Sequence, residues 1–219
     1  MYFNNLEYLL SMIYPKLTWV KKTSEKVIYL TFDDGPIPEV TEYVLKELAH
    51  YRAKATFFCV GDNIYKNPKI FKKIIEQGHK TGNHSYNHLN GWKKENSIYL
   101  DNVKKSDTLM MENLMKGSQH LYFSSSTKKK LYRPPYGKIK KAQIKALDDQ
   151  YEIVMWDVLT GDFDKNLSPE KCLRKAIKYT GKGSIVIFHD SLKAFPNLQY
   201  ALPRFLKHFT EAGYRFESL

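Results

Sequence analysis

Two histidines four positions apart, His84 and His88, can turn both imidazoles toward one cation from a helical turn or a tight loop. A carboxylate from another strand end would complete a three-ligand set, and Asp34 is the natural candidate. Three protein ligands leave open positions on the ion. A bound water would then be a usable nucleophile near neutral pH, and the same charge could polarise a substrate carbonyl. Such chemistry also needs a base and an acid: Asp33, next to the proposed ligand, could take the proton from water, and His189 could donate one to a departing amine. Plainer readings stand beside these. Two histidines at this spacing are often solvated or hydrogen-bonded residues, and Asp33-Asp34-Gly35 is also ordinary turn chemistry. His50, His79, His120 and His208 lack comparable company and read as structural or exposed.

The segments that must position these groups alternate short β-branched runs with helical patterns, which argues for parallel strands covered by helices. Val27 to Phe32 reads as a strand running into Asp33-Asp34-Gly35-Pro36, the spacing of Val40, Val44 and Leu48 predicts a helix, and Ala55 to Val60 reads as the next strand. Asn67-Pro68 opens a helix whose stripe Ile70, Phe71, Ile74 and Ile75 ends at Gly78. Thr81 to His88 reads as a short polar segment, Ser97 to Leu114 as helix, and the Ser-rich, basic stretch Gly117 to Lys130 as a surface loop. The paired prolines keep Tyr132 to Gly137 out of a helix, whereas Lys138 to Leu147 suits one and Ile153 to Leu159 reads as a strand. Ser168-Pro169 starts a helix through Tyr179, Ser184 to Phe188 is a buried strand delivering His189-Asp190, and a last helix runs from about Leu198 to Ala212 with Gly213 as its stop. Reactive residues thus follow strand ends repeatedly. In a parallel α/β barrel those C-terminal ends converge on one mouth.

A chain of 219 residues fits one domain, residues 1–219, without help from disulfides, and 42% hydrophobic against 26% charged residues excludes disorder of the whole. Cys59 and Cys172 match no paired zinc or redox spacing and read as reduced thiols. The formal charge of +12 would steer anionic partners, yet the lysines are spread along the chain with only Lys128 to Lys130 in a run, so a solvated surface is the simpler reading. An apolar patch, Leu9 to Tyr14, has no basic leader before it, and no apolar run reaches the roughly 18 residues of a membrane span. A cytoplasmic, monomeric protein without a transmembrane segment is the expectation.

Five ordered segments carry a resemblance. Thr31-Phe32-Asp33-Asp34-Gly35-Pro36, His84-Ser85-Tyr86-Asn87-His88, Arg133-Pro134-Pro135-Tyr136-Gly137, Trp156 through Asp162, and Ile187-Phe188-His189-Asp190 resemble the motifs of the polysaccharide deacetylase family, also called carbohydrate esterase family four. They span about Val27 to Asp190. The resemblance implies a distorted (β/α) barrel with its active site at the C-terminal strand ends. It implies a divalent metal, usually zinc, on Asp34, His84 and His88, with Asp33 as general base and His189 as general acid. By the same similarity Arg133 pairs with the catalytic Asp, Asp162 supports the acid histidine, and the backbone N–H of Tyr136 faces the oxyanion. Pro135, Tyr136, Trp156, Phe163 and Ile187 would line the acetyl pocket, and Asp157 and Asp190 would be supporting partners or surface and helix-capping carboxylates. Two departures bear on the pocket wall: Phe163 stands where the family often has tryptophan, and Leu159 where an aspartate is common.

The implied activity is metal-dependent removal of N-acetyl groups from amino sugars of a glycan such as peptidoglycan or a chitin-like polymer. Members that act on cell-wall polymers would place it at the envelope, against the cytoplasmic expectation. The same site on another substrate, a small amide, a cyclic imide or an O-acetyl ester, is the alternative. A non-catalytic basic module finds less support, since no nucleic-acid motif accompanies the charge and no nucleic-acid partner is expected.

Overall fold

Strand β2, Val27–Asp33, shows how the sequence sorts itself into layers. Ile28, Leu30 and Phe32 pack beneath the helices, so Tyr29, Thr31 and Asp33 project to the other face of the sheet. In the computed structural model, which describes residues 13–114 and 118–219, this inner face is the inside of a barrel. Most of the patch Leu9 to Tyr14, and Gly117 of the predicted loop, lie outside the described residues.

Eight further strands accompany β2 among the described residues: β1 (Leu17–Thr18), β3 (Thr56–Cys59), β4 (Lys80–Asn83), β5 (Lys130–Tyr132), β6 (Tyr151–Val154), β7 (Val158–Leu159), β8 (Ile185–His189) and β9 (Arg215–Glu217). The ladder runs β1-β6-β5-β4-β3-β2-β8-β7, with β9 beside the start of β2, and every pairing between strands is parallel. Helices α1 (Val40–His50), α2 (Gly61–Lys66), α3 (Pro68–Glu76), α4 (Asn96–Asn113), α5 (Lys141–Leu147), α6 (Pro169–Tyr179) and α7 (Phe195–Glu211) fill the crossovers. Parallel sheets covered this way are buried on both faces, which is why Phe57 to Cys59 of β3 and Ile185 to Phe188 of β8 read as apolar runs.

Closure of the barrel is irregular. β6 and β7 belong to opposite ends of the ladder, yet only Met155, Trp156 and Asp157 separate them in the chain. Four Cα–Cα steps reach at most about 14 Å, so the sheet must curl until its two ends nearly meet. An antiparallel bridge between Val20 and Ser184 ties the same seam lower down. The expected distorted barrel is therefore what the chain forms.

Several sequence expectations are corrected. Ile153 to Leu159 is not one strand but β6 and β7, because the chain crosses the seam between them. Thr81 to His88 begins inside a buried strand, β4, whose polar residues conceal it: Asn83 Nδ2 donates to Val103 O at 2.9 Å, and Gly82 leaves room for Phe58, whose Cδ1 would lie 2.4 Å from a Cβ there. The stretch read as a loop ends in β5, and α2, β1 and β9 were too short to register as periodic patterns. Asn67 does precede α3 with Pro68 at its first turn, but its side chain donates to Pro36 O and Asn63 O instead of capping. Cys59 and Cys172 are buried free thiols. No helix among the described residues is long and apolar enough to cross a membrane.

Inside the barrel, Phe58, Leu131, Val154, Ile185 and Leu219 form an apolar plug. Arg133 lies directly on it, its guanidinium carbon 4.1 Å from the Phe58 ring centre. Above Arg133 the strands end, and the polar groups gather.

Candidate active site

Register places the first pair. Asp33 and His189 are the last residues of β2 and β8 and stand opposite each other in the ladder. Both belong to the inward-facing set, so one cleft receives both side chains.

Arg133 anchors Asp33 from below. It has no solvent exposure and makes four hydrogen bonds, to Thr31 Oγ1 and Asp33 Oδ1 at 2.7 Å each, to Val154 O at 3.2 Å and to Met155 O at 2.9 Å. A buried guanidinium is tolerable only when its donors are satisfied in this way. The result is a fixed carboxylate with its other oxygen, Oδ2, directed at His84 Nε2 across 3.8 Å.

His84, His88 and Asp34 form the next group. His84 Nδ1 lies 2.8 Å from the Arg133 carbonyl, which can only accept, so Nδ1 carries the proton and Nε2 presents its lone pair. That lone pair is 3.7 Å from Asp34 Oδ1, and His88 Nε2 is 3.2 Å from the same oxygen. Burial pushes the His84 pKa down to about 4 despite the opposing charge of Asp33, so the ring is neutral, as a metal ligand must be. Burial also works against the Asp34 charge, but the His88 hydrogen bond and the neighbouring histidines outweigh it and hold that carboxyl well below the usual carboxylate range. The three ligand atoms lie within 4.8 Å of one another. Acceptor atoms crowded together with one imidazole proton already committed elsewhere fit a divalent cation, whose nitrogen and oxygen ligands sit at about 2.0 to 2.2 Å in the case of zinc.

His189 is held from behind by Asp162, whose Oδ1 meets His189 Nδ1 at 2.8 Å while Oδ2 accepts from the His189 backbone N–H at 2.7 Å. Asp162 is itself 1% exposed. Burial alone would make the imidazole a weaker base, but the charge and hydrogen bond of Asp162, helped by Asp34 and Asp33, raise its pKa to about 9.

Backbone strain is concentrated here. Among the described residues, four of the seven non-glycine positions with positive φ are Asp34 (83°), Ser85 (61°), His88 (54°) and Tyr136 (60°). Such conformations cost roughly 1 to 3 kcal/mol each and persist where the surroundings over-determine them. Tyr136 sits in the turn Pro135–Gly137 and lays its ring 4.5 Å from that of His88.

The chain also matches known proteins over most of its length. The polysaccharide deacetylase family model matches residues 20–151. The chain belongs to the polysaccharide deacetylase family. A peptidoglycan-N-acetylglucosamine deacetylase of Bacillus cereus is 34% identical over 203 residues, covering 91% of this chain and 89% of that protein. The peptidoglycan-N-acetylglucosamine deacetylase PgdA of Listeria monocytogenes is 31% identical, and this chain spans only 39% of its length while 91% of this chain is covered. Among solved structures, the Bc1960 peptidoglycan N-acetylglucosamine deacetylase in complex with 4-naphthalen-1-yl-N-oxidanyl-benzamide superposes with a TM-score of 0.83 at 29% identity, over 95% of this chain and 94% of that one.

In this family member the cleft has a volume of about 600 Å³, and Asp33, Asp34, His84, His88, Tyr136 and His189 all line it. Trp156, Phe163 and Ile187 line it too, as does Leu159, so the pocket wall is apolar where an aspartate was the family habit. Phe163 stacks its edge against His189 at 4.9 Å. Pro135, expected to touch substrate, is buried outside the lining, because it builds the turn that presents Tyr136. Arg133 and Asp162 also stay behind the wall, hydrogen-bonded to Asp33 and His189.

The two doubtful aspartates separate. Asp190 is fully buried and supports the ligand turn, accepting from Gly35 N at 3.0 Å and Thr41 Oγ1 at 2.6 Å. Asp157 instead accepts from Ile185 N at 2.6 Å and fastens the seam to the start of β8. Sequence reasoning quoted Thr31 in the first motif without giving it a role. It missed Thr41 beneath the Asp34 turn, Lys138 and Lys193 of the cleft wall, and Asn102, whose Oδ1 accepts from Tyr86 N and Asn87 N and so shapes the turn between the two histidines. Nothing in their local spacing marks them.

Proposed function

We propose that this chain hydrolyses N-acetyl groups of amino sugars in peptidoglycan, with N-acetylglucosamine as the preferred sugar and zinc as the metal. The carrying observation is that Asp33 and His189, register partners on adjacent strands, share one cleft with the Asp34, His84 and His88 cluster. The names of the relatives above favour peptidoglycan over other glycans.

In this reading Asp34, His84 and His88 would hold a divalent ion, which when bound would supply the charge to polarise the acetyl carbonyl and acidify water. Asp33 accepts the water's proton through the carboxylate that Arg133 fixes. His189 gives the proton of its Nε2 to the departing amine, because Nδ1 is engaged by Asp162. The left-handed backbone of Tyr136 turns its N–H toward the developing oxyanion. Trp156, Phe163, Ile187 and Leu159 enclose the acetyl methyl and exclude water. The protein works as one domain and a monomer. Its substrate argues for action at the cell envelope rather than in the cytoplasm.

The test is acetate release by metal-loaded protein from peptidoglycan fragments, chitin oligomers, an O-acetylated glycan and a small acetamide. Peptidoglycan fragments should be turned over, N-acetylglucosamine losing its acetyl group in preference to N-acetylmuramic acid. Asp33→Asn should lower the rate by at least about a hundredfold with metal still bound. Turnover confined to the small amide or the ester would defeat the reading.

A further inference from the structure

Lys80 opens β4, so it lies at the end of the barrel opposite Asp33, His84 and His189, which follow strand C-termini. It is 7% exposed. Its ammonium donates to Phe123 O at 2.6 Å and to Ser125 Oγ at 2.7 Å, both neutral acceptors. Among the described residues no ion pair includes it, and the acidic side chains of the surrounding segments pair with other lysines, while Leu219 O accepts from Ser125 Oγ at 3.2 Å. Glu152 pairs with Lys21 at 2.6 Å and accepts from Thr18 and Thr127, while Asp107 pairs with Lys130 at 2.8 Å. A buried ammonium without a counter-charge is costly, and a neighbouring cation makes it more so.

That cation is present. A cavity of about 390 Å³ is lined by Lys80, His120, Phe123, Ser124, Ser125 and Lys128, and no carboxylate is among them. Burial, and then the charges of Lys128 and Lys21, bring the Lys80 pKa down to about 8 against the weaker opposing pull of Glu152. The basic, Ser-rich stretch that ends at Lys130, which the acetyl chemistry leaves unused, forms one wall of this cavity.

We propose that this cavity is an anion site for a phosphate group, held by the ammoniums of Lys80 and Lys128, with Ser125 bracing Lys80 because its hydroxyl accepts from that ammonium and donates to Leu219 O. Two of the three Lys80 donors are occupied, which leaves one for a ligand, and Lys128 approaches from a different segment, so the ligand must offer oxygens in two directions. Two ammoniums with no side-chain carboxylate in the cavity lining match the roughly −1.5 to −2 of a phosphate monoester better than the single charge of a carboxylate. Because the two sites occupy opposite ends of the barrel, a ligand bound here leaves the cleft open to glycan.

The experiment titrates inorganic phosphate into metal-loaded protein at constant ionic strength, following the backbone amide resonances of Lys80 and of residues 120–130. Saturable shifts are expected, weakened at least about tenfold by Lys80→Met and by Lys128→Ala, the loss of one charge-assisted contact each. Lys128 is exposed, so its replacement does not threaten the fold, and acetate release should stay at the wild-type rate. Competition at the same amides by glycerol 3-phosphate, a monoester of like charge, would identify an esterified phosphate as the source, and its failure to compete would identify free phosphate. Shifts that chloride reproduces, that never saturate, or that survive both substitutions would overturn the proposal. The last outcome includes phosphate bound only at the metal cluster.

Discussion

Arg133, itself fully buried, reaches Asp33 at the floor of the cleft with a 2.7 Å hydrogen bond, although the two are a hundred positions apart in the chain. The same guanidinium also ties β2 to β6 through Thr31 Oγ1 and Val154 O. Removing it by Arg133→Met leaves a buried carboxylate without its cation. The expected cost is about 3 to 5 kcal/mol of stability, read by chemical denaturation, together with loss of nearly all acetate release. Arg133→Lys should restore charge but not the planar fork, recovering part of the stability and little of the activity.

Asp162 and His189 predict a pH effect. The acid must be protonated to work, so activity falls as pH rises through the His189 pKa, which Asp162 raises. Asp162→Asn removes the raising charge and leaves burial, which lowers that pKa. The alkaline limb of kcat/KM should therefore move to lower pH, and the rate at its optimum should drop by roughly a hundredfold or more. An unshifted limb would reassign the acid.

His79 governs acid stability away from the cleft. Burial, aided by Lys54, lowers its pKa from 6.5 to about 4, and its Nδ1 accepts from Ala55 N at 3.3 Å. Between those values the unfolded chain binds the extra proton, so stability rises with pH there and is lost as pH falls, by about 3 kcal/mol in total. His79→Gln, which cannot titrate, should flatten the stability profile between pH 6.5 and 4 relative to wild type. Denaturation midpoints across that range measure it.

Gly35 is held by contact rather than by backbone freedom. A Cβ at this position would lie 2.0 Å from Asp190 Oδ2, the carboxylate that accepts from Gly35 N and Thr41 Oγ1. Gly35→Ala should cost about 1 to 3 kcal/mol and displace the neighbouring Asp34. Weaker metal binding in a titration of the folded variant is the expected signature.

Local signals carried the sequence reading where the chemistry itself is local. His84 and His88 share one turn, Asp33 and Asp34 are adjacent, and the β-branched runs of β2 and β8 announce the strands that deliver Asp33 and His189. Where the fold relies on long-range satisfaction of polar groups, the pattern is silent. β4 is buried but spelled Lys80-Thr81-Gly82-Asn83, so hydrophobic periodicity passes over it. Asn197 closes the Asp162 loop by donating to Asp162 O, Asp164 O and Leu167 O from α7, and no spacing rule connects residues so far apart. Pro135 shows the opposite limit: its motif was recognisable, but whether it faces substrate or props a turn depends on three dimensions.

The pairing of Asp33 with His189 on neighbouring rungs has an evolutionary corollary. Adjacent strands run about 4.8 Å apart by backbone hydrogen bonding alone, so the spacing of the Asp33 and His189 backbones is inherited from main-chain geometry and is indifferent to most side-chain replacements. Rim positions such as Leu159, Phe163, Lys138 and Lys193 lie outside that constraint. Lineages can therefore exchange one sugar polymer for another at the entrance while the reactive centre keeps its dimensions.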